Sequence, residues 1–263
     1  MDIKKVLVRL HWLFSAQFGI DLRLFPRSMR GLPRYIRDLI RFRKGYSGRI
    51  QLLPCLHDWY EEGGSTTNEY FWQDLIVARM IAATKPAKHV DIGSRVDGFV
   101  AHVASFRDIE VFDVRPITTQ IPGVIFRQAD FMKAVVGMTE YCDSLSCLHA
   151  LEHFGLGRYG DPIDPEGSER GFANMANLLR KNGLFYLSVP IGIDRVEFNA
   201  NRVFDPHTII KMAEKNSLQI SALTVIQQGG ETRKVSPTEL VLADLASQNY
   251  SLGLFTFMKS GVN

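Results

Sequence analysis

Short apolar runs alternate with stretches of helical periodicity from about residue 66 to residue 259. Apolar runs bounded by Gly, Pro or polar residues are typical of strands, and apolar positions three and four apart are typical of helices. The pattern predicts seven strands, at 89–93, 109–114, 124–128, 144–148, 184–189, 218–226 and 252–259. Because helices separate most of them, we expect an α/β fold built on a doubly wound, mostly parallel seven-stranded sheet.

Residue types at the ends of the predicted helices indicate where they start and stop. The signals are a capping box at Thr66 and Glu69, a stop at Lys85-Pro86, a C-cap at Asn182-Gly183 and an N-cap at Asp205 before Pro206. They predict helices from residue 66, over 168–180 and from 205 to about 216, besides one that follows Gly93.

The first 64 residues have a different pattern. Apolar positions over 3–18 recur at helical spacing, and a second, basic amphipathic helix is predicted over 34–41. The Arg-Gly-Leu-Pro sequence at 30–33 is expected to interrupt the helical pattern between these two helices. Gly63-Gly64-Ser65 marks the predicted boundary, so residues 1–64 form a helical extension and residues 65–263 the α/β domain.

Composition is that of a globular protein. The chain has 263 residues, 46% of them hydrophobic and 22% charged, with three cysteines. These values exclude disordered, collagen-like and disulfide-scaffold classes. Since no apolar run approaches about 20 residues and the N-terminus lacks a signal-peptide pattern, we expect a cytoplasmic protein.

Charge is distributed unevenly between the two parts. Residues 1–50 contain twelve Lys or Arg and three acids, a net charge of +9, whereas the whole chain carries only +3. The basic extension could pack on the acidic domain or a partner subunit, cover the substrate site as a lid, or lie on the inner face of an anionic membrane. Trp12, Phe14 and Phe18 favour the membrane interpretation, whereas no motif indicates nucleic acid. The oligomeric state is not indicated.

Three features follow predicted strands, where ligands of such sheets bind. Asp91-Ile92-Gly93-Ser94 is a tight turn into a helix, whose free N–H groups can bind an anion. Asp113 comes 20 residues after Gly93, the spacing of a ribose-binding acid. Asp130 can accept from an exocyclic amine and Phe131 can stack on a purine. Together they predict a site for an adenosine-containing ligand.

At these residues the chain resembles class I S-adenosylmethionine-dependent methyltransferases. More narrowly, it is similar to a methyltransferase-like family of unknown function found in bacterial surface-polysaccharide gene clusters. The resemblance covers about residues 66–259 and includes an expected antiparallel last strand. It is carried by Val-Asp-Ile-Gly-Ser at 90–94, Asp113, Ala-Asp at 129–130, Leu-His-Ala-Leu-Glu-His at 148–153 and the segment 182–190.

The resemblance implies S-adenosylmethionine as cofactor. It places Asp91, Gly93 and Ser94 at the methionine end, Asp113 at the ribose and Asp130 at the adenine amine. Arg95, Val114 and Phe131 complete the expected cofactor set. Arg95 and Asp97 stand where the family usually has its second and third glycines, so Arg95 either disturbs cofactor binding or pairs with the carboxylate of the cofactor.

The segment after the fourth strand contains His149, Glu152 and His153. We interpret either His as a general base for a hydroxyl acceptor, since an ordinary His pKa suits that task, with Glu152 orienting it. A purely structural role is the alternative. The H-x-x-E-H spacing also matches zinc peptidases, but that site needs a helix, which Gly155 and Gly157 interrupt. No metal is predicted.

The polar loop over 158–167 is a candidate substrate-binding loop. Arg158, Tyr159 and Asp161 are predicted to hold a sugar or phosphate, whereas its acids Asp161, Asp164 and Glu166 could instead bind a divalent cation or be solvated.

The leading hypothesis is therefore methyl transfer to a hydroxyl of a small molecule, glycan or lipid-linked saccharide. The main alternative is a degenerate, non-catalytic binding or scaffolding subunit, motivated by Arg95 and Asp97. A redox enzyme using an adenine dinucleotide is a third possibility, disfavoured because the usual glycine pattern is missing.

Overall fold

The computed structural model describes residues 10, 11, 13–21, 23–61 and 63–261. The chain divides into two compact units, Met1–Ser65 and Thr66–Asn263. Among the described residues, none of the helices combines the length and apolar character needed to cross a bilayer.

The first unit is built around one long helix, α1, Leu24–Gly45. A π-helical turn, Leu13–Gln17, precedes it and a 3-10 turn, Asp58–Tyr60, follows it. Half of the predicted helix over 3–18, residues 3–9 and 12, lies outside the described residues.

The predicted break at 30–33 is wrong, because α1 continues through Pro33. Packing offsets the helix-breaking tendency of this proline. Gly31 is buried against the backbone of Leu56, where any Cβ would collide with the Leu56 carbonyl. The guanidinium of Arg34 lies 3.0 Å from the centre of the Trp59 ring and that of Arg30 5.7 Å from the Tyr60 ring. These contacts hold the segment after α1 against this part of the helix.

The second unit contains an eight-stranded sheet in the order β3-β2-β1-β4-β5-β10-β8-β9. Strands β1 to β5 pair in parallel, and β10 is antiparallel to both β5 and β8. The strands are β1 His89–Ile92, β2 Ile109–Asp113, β3 Val124–Gln128, β4 Cys142–Leu148, β5 Leu179–Ile191, β8 Leu218–Ile226, β9 Thr232–Val235 and β10 Ser251–Lys259. A separate hairpin joins β6 Arg195–Glu197 to β7 Asn201–Val203.

The expected mostly parallel α/β sheet is confirmed, with eight strands instead of seven. The extra strand, β9, pairs with β8 at the sheet edge. Its sequence, Thr-Arg-Lys-Val, is mostly exposed, so it lacks the apolar run from which the other strands were predicted.

Helices cover both faces of the sheet. They are α2 Glu69–Thr84, α3 Ala101–Ala104, α4 Gly167–Leu178, α5 Pro206–Lys215 and α6 Glu239–Ser247. One core contains buried residues of α4, α5 and α6, and the other contains those of α2 and α3. Each face of the sheet therefore has its own hydrophobic core, as a doubly wound fold requires.

Of the four predicted helix ends two are wrong and two are confirmed, the stop at Lys85-Pro86 and the N-cap at Asp205. Asn68, not Thr66, caps α2, because its side chain accepts from the Tyr70 N–H. Asn182, at φ +62°, lies inside β5 at a register irregularity rather than at a helix end, since α4 already stops at Leu178. Asp205 caps α5 as predicted, with Pro206 in the first turn.

Candidate active site

Two cavities lie at the carboxyl ends of the parallel strands, where ligands of doubly wound sheets bind. The first, of about 300 Å³, is lined by Ile92, Gly93, Phe112, Asp113, Asp130 and the loops that follow β2, β3 and β4. The second, of about 190 Å³, is lined by Glu69, Glu152, Pro190, Asn201 and Tyr250. Tyr70, His149, His153 and Arg158 line both, so the two cavities meet at these side chains.

The turn after β1 requires glycine at position 93. Gly93 has φ +72° and its N–H donates to the Phe112 carbonyl over 2.8 Å. A Cβ there would lie only 2.9 Å from the Cβ of Ala150. The left-handed backbone and the close approach of the loop after β4 thus both exclude a side chain.

Asp91 and Ser94 stabilise this turn through hydrogen bonds, and neither residue lines a cavity. Asp91 accepts hydrogen bonds from the Ser94 N–H and hydroxyl and from the Ser146 hydroxyl. Burial raises the pKa of Asp91 to about 7 although these bonds oppose the shift. The Ser94 hydroxyl also accepts from the Leu148 N–H, so the pair ties the β1 turn to the end of β4.

Arg95 lines the first cavity without filling it. Its guanidinium donates to Asp97 over 3.0 and 2.7 Å, and 57% of its side chain is exposed. Arg95 and Asp97 therefore pair with each other, and a cavity remains beside them.

Asp113 is held by Arg115 at the end of β2. The Arg115 N–H and Nε donate to Asp113 Oδ1 over 2.8 and 3.0 Å, and a terminal nitrogen donates to Oδ2 over 2.6 Å. The Arg115 guanidinium also lies 4.3 Å from the centre of the Tyr159 ring. Val114, between the two residues, lines the cavity as well.

Asp130 lines the first cavity and has one carboxylate oxygen without a hydrogen-bond partner among the described residues. Its Oδ1 accepts from the Met132 N–H over 2.9 Å. Its Oδ2 is buried, lies 3.6 Å from Lys133 Nζ, and has no hydrogen-bond partner among the described residues. A buried acceptor in this state favours a ligand that donates a hydrogen bond. The neighbouring Phe131 ring is almost fully buried and packs edge-on against Phe112.

His149 lies between two carboxylates. Its Nδ1 is 2.7 Å from Glu152 Oε1 and its Nε2 is 3.3 Å from Glu69 Oε1. Burial opposes protonation, but the charges of Glu152 and Glu69 raise the pKa of His149 to about 9. The Glu69 carboxylate also accepts from the Tyr250 hydroxyl over 2.6 Å. His149 is therefore an imidazolium at neutral pH, which does not suit it as a general base.

His153 has the opposite properties. Its Nδ1 lies 2.7 Å from the Ala200 carbonyl, which can only accept, so Nδ1 carries the proton and Nε2 carries the lone pair. Burial lowers the pKa of His153 below its usual value. Arg158 donates to the same carbonyl over 2.8 Å. His153 is thus a neutral imidazole of fixed tautomer that lines both cavities.

Two buried carboxylate oxygens around the second cavity, Glu69 Oε2 and Glu152 Oε2, lack hydrogen-bond partners among the described residues. His149 Nε2 also lies here, but it forms an ion pair with Glu69 Oε1 at 3.3 Å. Carboxylate oxygens accept hydrogen bonds. The second cavity therefore favours a ligand that donates hydrogen bonds.

The carboxylate of Asp161 stabilises the loop after β4. Asp161 accepts from the N–H groups of Gly155, Gly157 and Tyr159, which orders the backbone that presents Arg158 and Tyr159 to the first cavity. Asp161 thus positions the loop while also lining the cavity. In the preceding segment, Leu151–His153 forms a 3-10 turn rather than the α-helix that the zinc-peptidase pattern needs.

The model of a family described as "Caenorhabditis protein of unknown function, DUF268" matches residues 123–216. No curated protein matches the chain by sequence.

Solved structures give a broader match. The N-methyltransferase NodS from Bradyrhizobium japonicum WM9, in complex with S-adenosyl-L-homocysteine, has TM-score 0.52 and 15% identity over 77% of this chain and 92% of that chain. The YcgJ protein from Bacillus subtilis has TM-score 0.50 and 12% identity over 73% and 99%. The [4+2]-cyclase SpnF has TM-score 0.50 and 10% identity over 71% and 82%. The chain has the class I methyltransferase fold. The link to polysaccharide gene clusters remains a prediction.

Within this methyltransferase fold, several site residues were not found from the sequence. Arg115 was overlooked although the Asp-x-Arg spacing places it beside Asp113. The sequence indicates Glu69 only as a helix-capping residue, and it gives no signal for Tyr70. Tyr250 precedes the last strand in no recognisable motif, and only the antiparallel insertion of β10 brings it to Glu69.

The charged His149 cluster predicts a pH-dependent stability. The folded pKa of about 9 exceeds the ordinary value of 6.5, so this contribution is complete below pH 6.5 and is lost as pH rises through 9. At about 1.4 kcal/mol per pKa unit, the free energy of unfolding should fall by up to about 3 kcal/mol over this range. Urea denaturation at pH 6.5, 8 and 9.5 measures it. His149→Gln should remove this slope, and an unchanged slope in that variant contradicts the assignment.

Proposed function

We propose that the chain transfers a methyl group from S-adenosylmethionine to a hydroxyl group of a saccharide, either a glycan or a lipid-linked sugar. The observation that carries the proposal is the meeting of two chemically different cavities at a neutral histidine, His153. One cavity has groups complementary to an adenosine, and the other has unpartnered carboxylate oxygens that suit hydroxyl groups.

The first cavity fits the proposed cofactor. Its volume lies at the lower end of the range of small-molecule sites. The Asp113 carboxylate can accept from both ribose hydroxyls when Arg115 moves aside, and the unpartnered Asp130 Oδ2 can accept from the adenine amine. The turn at Gly93 admits close approach to the backbone. S-adenosylmethionine supplies a sulfonium-bound methyl group, which a nucleophilic oxygen takes up, leaving S-adenosylhomocysteine.

His153 is the proposed general base. Its Nδ1–H donates to the Ala200 carbonyl, so Nε2 is free to accept the proton that an acceptor hydroxyl loses. The lowered pKa of His153 keeps this nitrogen unprotonated at neutral pH, which general-base catalysis requires. His149, as an imidazolium, is assigned to positioning: it holds Glu152 and Glu69 at the second cavity.

The second cavity contains both hydrogen-bond acceptors and donors. A saccharide hydroxyl can donate to Glu69 Oε2 or Glu152 Oε2 and can accept from Arg158, which lines the same cavity. An ammonium group can only donate; the two carboxylates would attract it, whereas the cationic His149 and Arg158 would oppose it. The mixture of donors and acceptors supports a hydroxyl acceptor, and the transfer assay below decides between hydroxyl and amine.

Calorimetric titration of the full chain with S-adenosylmethionine and S-adenosylhomocysteine tests the cofactor part of the proposal. We expect saturable heat for both, with micromolar dissociation constants. Absence of heat at millimolar ligand, with the protein folded by circular dichroism, would contradict it. That result would favour the alternative of a non-catalytic binding subunit, which Arg95 and Asp97 motivate.

A methyl-transfer assay tests the acceptor part. The chain is incubated with S-adenosylmethionine labelled in its methyl group and with matched pairs of sugars and amino sugars of the same skeleton. We expect label in alkali-stable methyl ethers of the neutral sugars and none on the amine nitrogen. Preferential N-methylation would contradict the hydroxyl assignment while leaving the cofactor assignment intact. Because the [4+2]-cyclase SpnF shares this fold, the readout is the labelled product rather than binding alone.

A further inference from the structure

Helix α1 of the first unit has an exposed apolar stripe formed by Phe25, Met29, Ile36 and Ile40. At 100° per residue these four side chains fall within about 60° of the helix circumference. Each is between 48% and 68% exposed. Large apolar side chains grouped on one face in this way mark an interaction surface, whereas scattered ones do not.

A basic face lies next to the apolar stripe. Over Leu24–Gly45 the sequence contains six arginines and one lysine against a single acid, Asp38, a net charge of +6. Six of these seven cations lie within an arc of about 100° that begins roughly 40° from the stripe. They are Arg27, Arg30, Arg34, Arg37, Arg41 and Lys44. The seventh cation, Arg43, falls at the angle of Phe25, at the other edge of the stripe. The helix is therefore amphipathic, with an apolar face that has most of the positive charge along one side.

The first unit's own packing uses a different side of α1. Gly31 lies against Leu56. Arg30 and Arg34, two of the six cations of the basic face, contact Tyr60 and Trp59, which leaves Arg27, Arg37, Arg41 and Lys44 on that face. Gly31 is about 120° or more from every stripe residue around the helix axis. The contacts that fix the following segment thus do not cover the apolar stripe.

We propose that this face of α1 docks on an anionic lipid bilayer, with the helix lying in the plane of the interface. Charge complementarity selects this occupant. A bilayer containing acidic lipids offers both an apolar interior for the stripe and negative headgroups for the basic face. A nucleic acid would satisfy the charges but leave the stripe in water, and a second copy of α1 would bring two faces of charge +6 together. The proposal does not depend on the chemistry of the second unit.

Co-sedimentation of the full chain with vesicles tests the proposal. We expect binding to vesicles of phosphatidylcholine containing phosphatidylglycerol, at least tenfold weaker binding to phosphatidylcholine alone, and weakening of the anionic-vesicle binding with added salt. The double variant Ile36→Glu/Ile40→Glu should lose at least tenfold in vesicle affinity, because it removes apolar contact and adds charges of the wrong sign.

Val136→Glu/Leu240→Glu is the matched control. It makes the same charge change at two exposed apolar positions of the second unit and should bind vesicles like the unmodified chain. Far-ultraviolet circular dichroism checks that both variants keep their helix content. Three results would each overturn the proposal: no binding to anionic vesicles at low salt, equal loss in both variants, or a dimer in solution that Ile36→Glu/Ile40→Glu dissociates while vesicle binding persists.

Discussion

Asp113→Ala should weaken the binding of S-adenosylhomocysteine by about 100-fold or more. The carboxylate is nearly buried in the first cavity, and its proposed role is to accept from two ribose hydroxyls. Hydrogen bonds to a charged group contribute about 1.5–3 kcal/mol each, and each 1.4 kcal/mol is a tenfold change in affinity. Isothermal titration calorimetry of the purified variant measures the change.

Arg115→Ala is the control that separates binding from structure. Arg115 makes three hydrogen bonds to Asp113, of which the variant removes the two from the side chain and keeps the one from the backbone N–H. If Asp113 serves the ribose, Arg115→Ala frees its carboxylate, and S-adenosylhomocysteine binds as well as before or more tightly. If Asp113 serves only as the partner of Arg115, both variants lose affinity equally. Thermal unfolding of both variants shows whether the loss of the pair destabilises the fold.

The proposed order of events at this pair follows from its geometry. The guanidinium of Arg115 occupies both oxygens of Asp113 and lies over Tyr159. Arg115 would have to leave these oxygens for Asp113 to accept hydrogen bonds from a ribose. The pairing energy is therefore part of the cost of ligand binding at Asp113, and the Arg115→Ala titration measures its size.

The strands that carry the site could be predicted because each is an apolar run with a polar residue at its end. Strands β3 and β8 have the predicted bounds, and Asp113 and Asp130 lie where parallel strands end. This local signal sufficed for the first cavity. It could not reveal β9, whose residues are polar and exposed, nor the continuity of α1 through Pro33, which depends on packing against a later segment.

The roles of the two histidines could not be predicted for a related reason. An ordinary pKa was assumed for both, yet the charge state of His149 depends on Glu69, at the start of α2, as well as on its neighbour Glu152. The tautomer of His153 depends on the Ala200 carbonyl in the connection between β6 and β7. Contacts between segments so distant in the sequence leave no periodic signal. The sequence motif therefore locates the two histidines, but only the fold shows that they differ in protonation state.

Those contacts make a direct prediction for the two histidine pKa values. In a sample labelled with ¹³C at the histidine ring carbons, the His149 signal should titrate near pH 9, and the His153 signal below its ordinary value of 6.5. Nuclear magnetic resonance follows both without any substrate. His149→Gln and His153→Gln assign the two signals, each by the loss of one. A His149 that titrates at or below 6.5 would contradict the carboxylate pairing and restore it as a candidate base.

His153→Gln should lower kcat for methyl transfer by about 100- to 10,000-fold, the usual contribution of a general base. Affinity for S-adenosylhomocysteine should stay within a few-fold, because glutamine preserves polarity and approximate size while removing the basic Nε2. The acidic limb of the pH–rate profile, which reports protonation of Nε2, should disappear in this variant. Assays with the hydroxyl acceptor found in the transfer experiment measure all three quantities.

The decisive comparison is with His149→Gln. If His149 only positions Glu69 and Glu152, that variant raises KM for the acceptor more than it lowers kcat, and it keeps the acidic limb. If the limb is instead lost in His149→Gln and kept in His153→Gln, the two assignments are reversed. Equal, small effects in both would mean that alignment of acceptor and methyl group, rather than proton removal, limits the rate. The pH profile separates these mechanisms because only the residue that gives up its lone pair to the acceptor proton must be neutral before the reaction.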